Sequence, residues 1–489
     1  MNKILLILIL LFNAIILQSQ NDTLYLNLDD CKNLALENNY KIKIANSRKQ
    51  VSEHLRKSAK TKFFGEFSFT GQYLYTNKAF KLKNQNLFFP VLPFWAIDQE
   101  TMGLNENIME NPLINGILAN PLTGEVMYDS EGNPAFLLYS YLPEDQLVFG
   151  THHNFMFGPG FIQPIYLGGK IKNIYKIAQA SESISESQVK LTEDEILFNI
   201  EEAYWRVITL QEKEKLAIKY LKMLERLIED LENIHQEGII TYNDVLKAKV
   251  KYNEVELQYI KANNGLALSK MALCQIIGLP LYSEIKLENE ISELPILPTI
   301  PTNMEEKISS REEIKILEQT EKIALANQKI SQSRFLPNIA VSANYLFTNP
   351  NPYNGFEKEF GSDWSLGLTV NIPIFHWGDR IHTMRASKSL MEYTNLQLQE
   401  AEQMIQLEIM QTWLLFKEAV KKVDLCEKSL MQAEENLRLS RDSFNEGMIP
   451  LSDLLEAQAM WQSAFSSLIE SKSELKVQEI AYRKTTGQL

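Results

Sequence analysis

The chain has 489 residues, 45% of them hydrophobic, and a formal net charge of −13. That length suits two or three ordinary domains and that composition a folded protein, while the acidic balance excludes a nucleic-acid partner, whose phosphates need a basic face. Cys31, Cys274 and Cys426 lie too far apart for a disulfide framework or a zinc site and read as small buried hydrophobes.

The first twenty residues have the pattern of a targeting segment. Lys3 gives a positive start, Ile4 to Leu17 is apolar but for Asn13, and Gln18-Ser19-Gln20 is a polar exit. The run is shorter than the roughly 20 apolar residues of a membrane helix, so 1–20 reads as a signal peptide of an exported protein. An uncleaved anchor is the alternative; a lipoprotein is disfavoured, because no cysteine follows the run directly. No later segment reaches about 18 apolar residues, so any membrane entry must be as a β-barrel.

An internal repeat organises the rest. Pro164-Ile165-Tyr166-Leu167-Gly168-Gly169 matches Pro373-Ile374-Phe375-His376-Trp377-Gly378 at an offset of 209, and the same offset pairs Tyr204 with Trp413, Glu237-Gly238 with Glu446-Gly447 and Asp244-Val245-Leu246 with Asp453-Leu454-Leu455. Upstream the offset becomes 272, matching Leu74-Tyr75-Thr76 to Leu346-Phe347-Thr348. The two offsets differ by 63 residues, an insertion in the first half between 77 and 148. The first repeat runs over 21–300, with helices at 28–61, 170–237 and 242–278 and strands at about 64–76 and 149–163. The second runs over 301–489, with helices at 303–334, 379–446 and 451–486 and strands at about 337–348 and 363–373.

The strands alternate: Phe67, Phe69, Tyr73 and Tyr75 oppose Ser68, Thr70 and Gln72, and Trp364, Leu366, Leu368 and Val370 oppose Ser365, Gly367 and Thr369. Segments of about ten residues with one apolar face suit a transmembrane barrel. A soluble sandwich is the alternative, although four strands in an otherwise helical chain make a poor one. From Gly169 to Gly238 and from Gly378 to Gly447 are 69 residues each, which at about 1.5 Å per residue is roughly 100 Å of helix. Leu221, Leu224, Ile228 and Leu231 form a coiled-coil seam on the first. The shorter helices, stacked end to end in pairs, match that length, which specifies two helical columns that descend and return. The fold class is thus mainly α with a small β-barrel portion. Four strands leave two open edges, whereas known single-chain barrels begin at about eight strands. Oligomerisation is required, and three copies would give twelve strands; the sequence alone does not fix the number.

These residues resemble the TolC-like outer-membrane efflux family over essentially the whole chain after the signal segment. The resemblance rests on the duplicated barrel-to-helix motif (Pro164 to Gly169, Pro373 to Gly378), on the two turns Glu237 to Leu246 and Glu446 to Leu455, and on Leu26-Asn27-Leu28-Asp29-Asp30 leading into Leu34 to Asn39. It implies a homotrimeric exit duct in the outer membrane that extends into the periplasm. The duct would pass substrates from an inner-membrane transporter and a periplasmic membrane-fusion adaptor, and its barrel would face outer-membrane lipid. By position, the adaptor-docking tip carries over to Gly238, Ile239, Ile240 and Thr241 and to Gly447, Met448, Ile449 and Pro450. The family's acidic constriction carries over to Asp453 and Glu456, one helical turn apart, where three copies would favour cations. Ile449 stands where the prototype has a gate arginine, so that salt bridge cannot form, although its partner position Asp244 is kept.

Independently of the family, Gly238 and Gly447 suit the left-handed residue after a helix end, and Asp244 and Asp453, or Thr241 and Ser452, can cap the helix that follows. The insertion 77–148 lies between two strands and so outside the cell, as an ordered lid or a partner-binding loop. No enzyme motif, cofactor site or metal-ligand spacing stands out. An exported coiled-coil adhesin or scaffold without a pore is the competing function, and the alternating aromatic strands weigh against it.

Overall fold

The structure, a computed structural model, describes residues 23–78, 80–81, 86–91, 98, 100, 117–120, 122–142, 148–149, 151–288 and 303–488. The signal-peptide segment, the 300/301 repeat boundary and part of the 77–148 insertion fall outside these residues. In chain order the elements are β1 (Leu24–Leu26), α1 (Leu28–Asn38), α2 (Tyr40–Thr61), β2 (Glu66–Tyr75), β3 (Phe80–Lys81), β4 (Leu87–Pro90), β5 (Tyr139–Leu142), β6 (Val148–Phe149), β7 (His153–Leu167), α3 (Lys170–Gln236), α4 (Tyr242–Ile277), β8 (Ile285–Leu287), α5 (Met304–Ser310), α6 (Glu312–Ser333), β9 (Asn338–Asn349), β10 (Gly361–Asn371), α7 (Asp379–Asn445) and α8 (Leu451–Thr485).

The chain divides into two compact units that cut across the repeats. Each repeat gives its helices to one and its sheet hairpin to the other, while the short parallel pair β1–β8 stays with the helices. In the β unit, the strands order β10-β9-β7-β2, all antiparallel. Register decides which side chains share a face. Phe67 sits opposite Phe161, Tyr73 opposite Phe155, Phe157 opposite Phe347, Tyr345 opposite Trp364 and Val341 opposite Leu368. All four apolar sets therefore lie on one face, and Ser68, Thr70, Ser342, Asn344, Ser365 and Thr369 on the other. Phe67, Phe69, Trp364, Leu366 and Leu368 are exposed. Among the described residues no second sheet packs on this one, which removes the sandwich. The strand ends differ from expectation by two to four residues: β7 occupies 153–167 and β10 occupies 361–371. Pro373 lacks the N–H that would carry the last strand onward.

The helical unit is one layer, in which α3 contacts α2 and α4 on one side and α6 and α8 on the other, and α7 packs on α6 and α8. Its cores form where α3 meets its neighbours, around Ile200, Tyr204, Leu273 and Ile277 in one cluster and Tyr220, Leu224, Val245, Leu454 and Trp461 in another. Cys31 and Cys274 are buried in the first, and Cys426 is half-buried. The outermost elements carry apolar stripes at three- and four-residue spacing that stay exposed: Tyr40, Ile44, Val51 and Leu55 on α2, and Tyr393, Leu396, Met404 and Leu407 on α7.

Two helices expected as continuous are broken. The 28–61 segment breaks at Asn39 and the 303–334 segment at Arg311, both extended at φ −61, ψ 129 and φ −66, ψ 138. These positions are 272 residues apart, the offset of the repeat. Both side chains are buried and both hold the end of the helix stacked beneath them. Asn39 Nδ2 donates to the Ile276 carbonyl at 2.7 Å, and Arg311 Nη1 donates to the Lys484 carbonyl at 3.2 Å. Gly278 and Gly487, 209 apart, end α4 and α8 in the left-handed region at φ +77 and +67. End-to-end stacking is thus a duplicated joint with its own side-chain chemistry.

Candidate functional site

The two turns joining α3 to α4 and α7 to α8 have the same backbone. Gly238 lies at φ +79 with its N–H on the His235 carbonyl, and the Ile239 N–H reaches Ile234 at 3.2 Å. Gly447 lies at φ +73, bonded to Phe444, and the Met448 N–H reaches Ser443 at 2.9 Å. Both are left-handed helix terminations in which a bond spanning five residues satisfies the last carbonyls. A Cβ at either glycine would meet open space, so the positive φ alone demands glycine. Each turn presents one well-exposed apolar residue, Ile239 and Met448, while Ile240 and Ile449 are half-buried and Thr241 and Pro450 are exposed.

The expected capping role of Asp244, Asp453, Thr241 and Ser452 is not seen. Thr241 occupies the N-cap of α4 without a side-chain cap, and the N-cap of α8 is Pro450, which has no side-chain oxygen. Asp244 instead accepts from Lys247 Nζ at 3.0 Å and from the Thr241 hydroxyl at 2.9 Å. The Lys247 bond, followed by that of Thr241, holds its carboxyl below the usual range. Asp453 is exposed and accepts from the neighbouring Ser452 hydroxyl, and Glu456 is exposed. Among the described residues neither has a cation at ion-pair distance. Lys247 and Glu456 are equivalent positions, so the first repeat neutralises its tip carboxylate and the second adds another.

His235 was not singled out by the sequence. Its Nδ1 lies 3.0 Å from the Ile240 carbonyl and its ring 5.4 Å from that of Tyr242, so it ties the first turn shut. Phe444, packed on the core, takes its place in the second turn. Comparing the repeats residue by residue would have found the exchange. At the other end of the long helices, Gly169 and Gly378 precede α3 and α7 at φ +82 and +85. They turn the chain from the segments containing Pro164 and Pro373 into helix. Among the described residues no helix is long and apolar enough to cross a membrane, and no group of three or more His, Cys, Asp or Glu is placed to hold a metal ion.

The chain matches the family described as Outer membrane efflux protein over residues 140–279 and 304–488. It is similar to the outer membrane protein TolC of Vibrio cholerae, 19% identical over 319 residues that cover 62% of this chain and 70% of that protein. It is also similar to the proteases secretion protein PrtF of Dickeya chrysanthemi, 22% identical over 259 residues, 51% of this chain and 54% of the relative. The CmeC outer membrane channel of Campylobacter jejuni has the same fold, with a TM-score of 0.72 at 16% identity over 94% of this chain and 85% of that one. The chain belongs to the outer membrane efflux protein family: it is an outer-membrane exit duct of an efflux or secretion system, extending into the periplasm.

Proposed function

We propose that the working duct is a homotrimer, and one observation carries this. The four-stranded sheet is open at β2 and β10, and the apolar side chains of those two edge strands are exposed. An open sheet in a bilayer would leave unpaired N–H and C=O groups in hydrocarbon, each costing several kcal/mol, so copies must pair β10 to β2 until the ring closes. The exposed stripes on α2 and α7, the outermost elements of the helical layer, support the same head-to-tail closure. Mass measurement in detergent should give three chains per particle. A stable monomer with ordered β-structure in plain buffer would sink the assignment.

In this duct the turns at Gly238 to Thr241 and Gly447 to Pro450 dock a periplasmic adaptor, through the exposed Ile239 and Met448. The inner-membrane transporter behind that adaptor selects the cargo. Replacing Gly447 by valine would force a β-branched residue into positive φ, at a cost of about 1–2 kcal/mol. Export should fall while insertion into the outer membrane stays normal; intact transport in Gly447→Val would place docking elsewhere. The second turn also narrows the lumen, with Asp453 and Glu456 from each copy forming acidic rings.

A further inference from the structure

The insertion between β2 and β7 contains a ribbon with no role in the duct as described. β4 and β5 pair from Leu87↔Leu142 to Pro90↔Tyr139, and the Val91 N–H extends the ladder to the Leu138 carbonyl at 3.0 Å. β3 and β6 share that register, Phe80↔Phe149 and Lys81↔Val148. It differs by one residue from the β2–β7 ladder, which ends at Tyr75↔His153. The ribbon is therefore the outward continuation of the β2–β7 hairpin past a one-residue slip. Because the ten residues of β2 already equal the roughly 9–11 of a membrane-crossing strand, the ribbon stands beyond the hydrocarbon.

Water is a poor environment for it. Alternation along the ladder puts Leu87, Phe89, Val91, Leu138 and Leu142 on one face and Phe88 and Tyr141, whose rings are 5.3 Å apart, on the other. Phe88 is 61% exposed, Phe89 50% and Leu138 67%. A lone two-stranded ribbon is marginal in water even with one solvated polar face, and this one is apolar on both. Such a surface marks an interaction site.

Continuity names the occupant. β4 prolongs β2, the edge strand to which the trimer assigns the neighbouring copy's β10. The β9–β10 ladder ends at Thr348↔Gly361, with one further bridge at Asn351↔Glu357, so among the described residues no strand on the neighbour's β10 side reaches as far as β4. Three copies bring three such ribbons to one mouth. We propose that the ribbon Leu87–Val91 with Leu138–Leu142 is an interface between copies of this chain, its apolar faces packing on the same ribbons of neighbouring protomers outside the membrane. The proposal rests on the trimer.

The test uses full-length protein carrying Phe88→Cys or Phe89→Cys with Cys31→Ala, Cys274→Ala and Cys426→Ser, since the two buried cysteines would also label once denaturant exposes them. A short bis-maleimide should link the purified detergent-solubilised protein into covalent dimers and trimers. An impermeant maleimide should label these cysteines roughly tenfold more slowly in the assembled protein than in chains dissociated by denaturant. Heat-modifiable migration of each variant verifies that it has folded. A trimer by native mass in which both cysteines label rapidly and neither cross-links overturns the proposal and leaves the trimer standing. Protection in outer membranes that disappears in solubilised trimers assigns the ribbon to lipid and also overturns it. A monomeric wild type overturns the trimer itself, and the proposal with it.

Discussion

The two repeats have one backbone and two chemistries. At the tips, Asp244 is matched by Asp453, but Lys247 is matched by Glu456 and His235 by Phe444. The first tip is closed on itself by Lys247 and His235, while the second leaves two exposed carboxylates with no cation partner among the described residues. At the joints the inequality runs the other way. Asn39 is a neutral pin, whereas Arg311 is a buried cation held by Glu313 at 2.6 Å and Glu408 at 3.5 Å. Beside the first joint Lys32 pairs with the buried Glu201, and the equivalent positions hold Met304 and Met410. Duplication fixes geometry, through glycine at the turns and an extended residue at each joint. Charge is then free to diverge, because an ion pair and an apolar pair can fill the same volume at similar stability.

The largest expected effect comes from Arg311. Its replacement by alanine leaves Glu313 without the partner that outweighs its burial, and breaking such a pair costs about 3–5 kcal/mol, toward the low end here because Glu313 is partly exposed. Asn39→Ala removes two neutral hydrogen bonds, one to the Ile276 carbonyl and one from the Lys41 N–H, at about 1–2 kcal/mol in all. Heat-induced loss of helical circular dichroism in detergent should rank Arg311→Ala well below Asn39→Ala; equal losses would show that the joints are energetically alike. The Arg311 contribution also depends on pH. Burial opposes the Glu313 charge, but bonds from Arg311 hold its carboxyl below the usual range. The associated stability is therefore complete above the unfolded value near 4.3 and lost as pH falls through the lower folded value. The variant should show a flatter acid profile.

A smaller contrast separates the two joint glycines. A Cβ on Gly278 would lie 2.6 Å from the Asn38 Cβ and 3.0 Å from its backbone carbonyl, whereas one on Gly487 would find Ser310 Oγ at 3.5 Å. Both alanine variants pay for positive φ, about 1–2 kcal/mol, and only Gly278→Ala adds overlap with backbone. Its transition should fall further than that of Gly487→Ala. Matching shifts would mean that the first joint gives way freely.

Most of this architecture is legible in the sequence, because period and punctuation are local. Long amphipathic runs ending in Glu-Gly gave α3 and α7 to within a residue, and alternation gave the four strands and their common face. The joint at Arg311 was hidden, because its buried side chain bonds a carbonyl 173 residues away. The joint at Asn39 carries a local signal as well, since asparagine favours the N-cap and its Oδ1 accepts from the Lys41 N–H at 2.7 Å while Nδ2 reaches the Ile276 carbonyl. The caps were misassigned for a related reason. Asp244 lies in the right position to cap, but Lys247 and Thr241 compete for its oxygens. Local rules see the position and not the competitor.

At the tips the expected effect on stability is the smallest and the effect on function the most direct. Asp453 and Glu456 are three residues apart on the exposed face of α8, so their carboxylates lie one turn apart. Among the described residues neither has a cation at ion-pair distance. If they face the lumen, a trimer stacks two rings of three carboxylates in a narrow aqueous neck, where the field attracts cations and multivalent ions lodge. Asp244 contributes little there, since Lys247 cancels it. In planar-bilayer recordings, alanine at both Asp453 and Glu456 should weaken cation selectivity and relieve block by trivalent cations. Asp244→Ala should leave both nearly unchanged, and Lys247→Glu, which gives the first tip the charge pattern of the second, should strengthen them. Stability should barely move in any of these, because exposed surface substitutions lie within about 0.5 kcal/mol. Unchanged selectivity and block in the double alanine variant would put the constriction elsewhere. Equal effects from Asp244→Ala would show that the two tips, despite their different partners, share one electrostatic role.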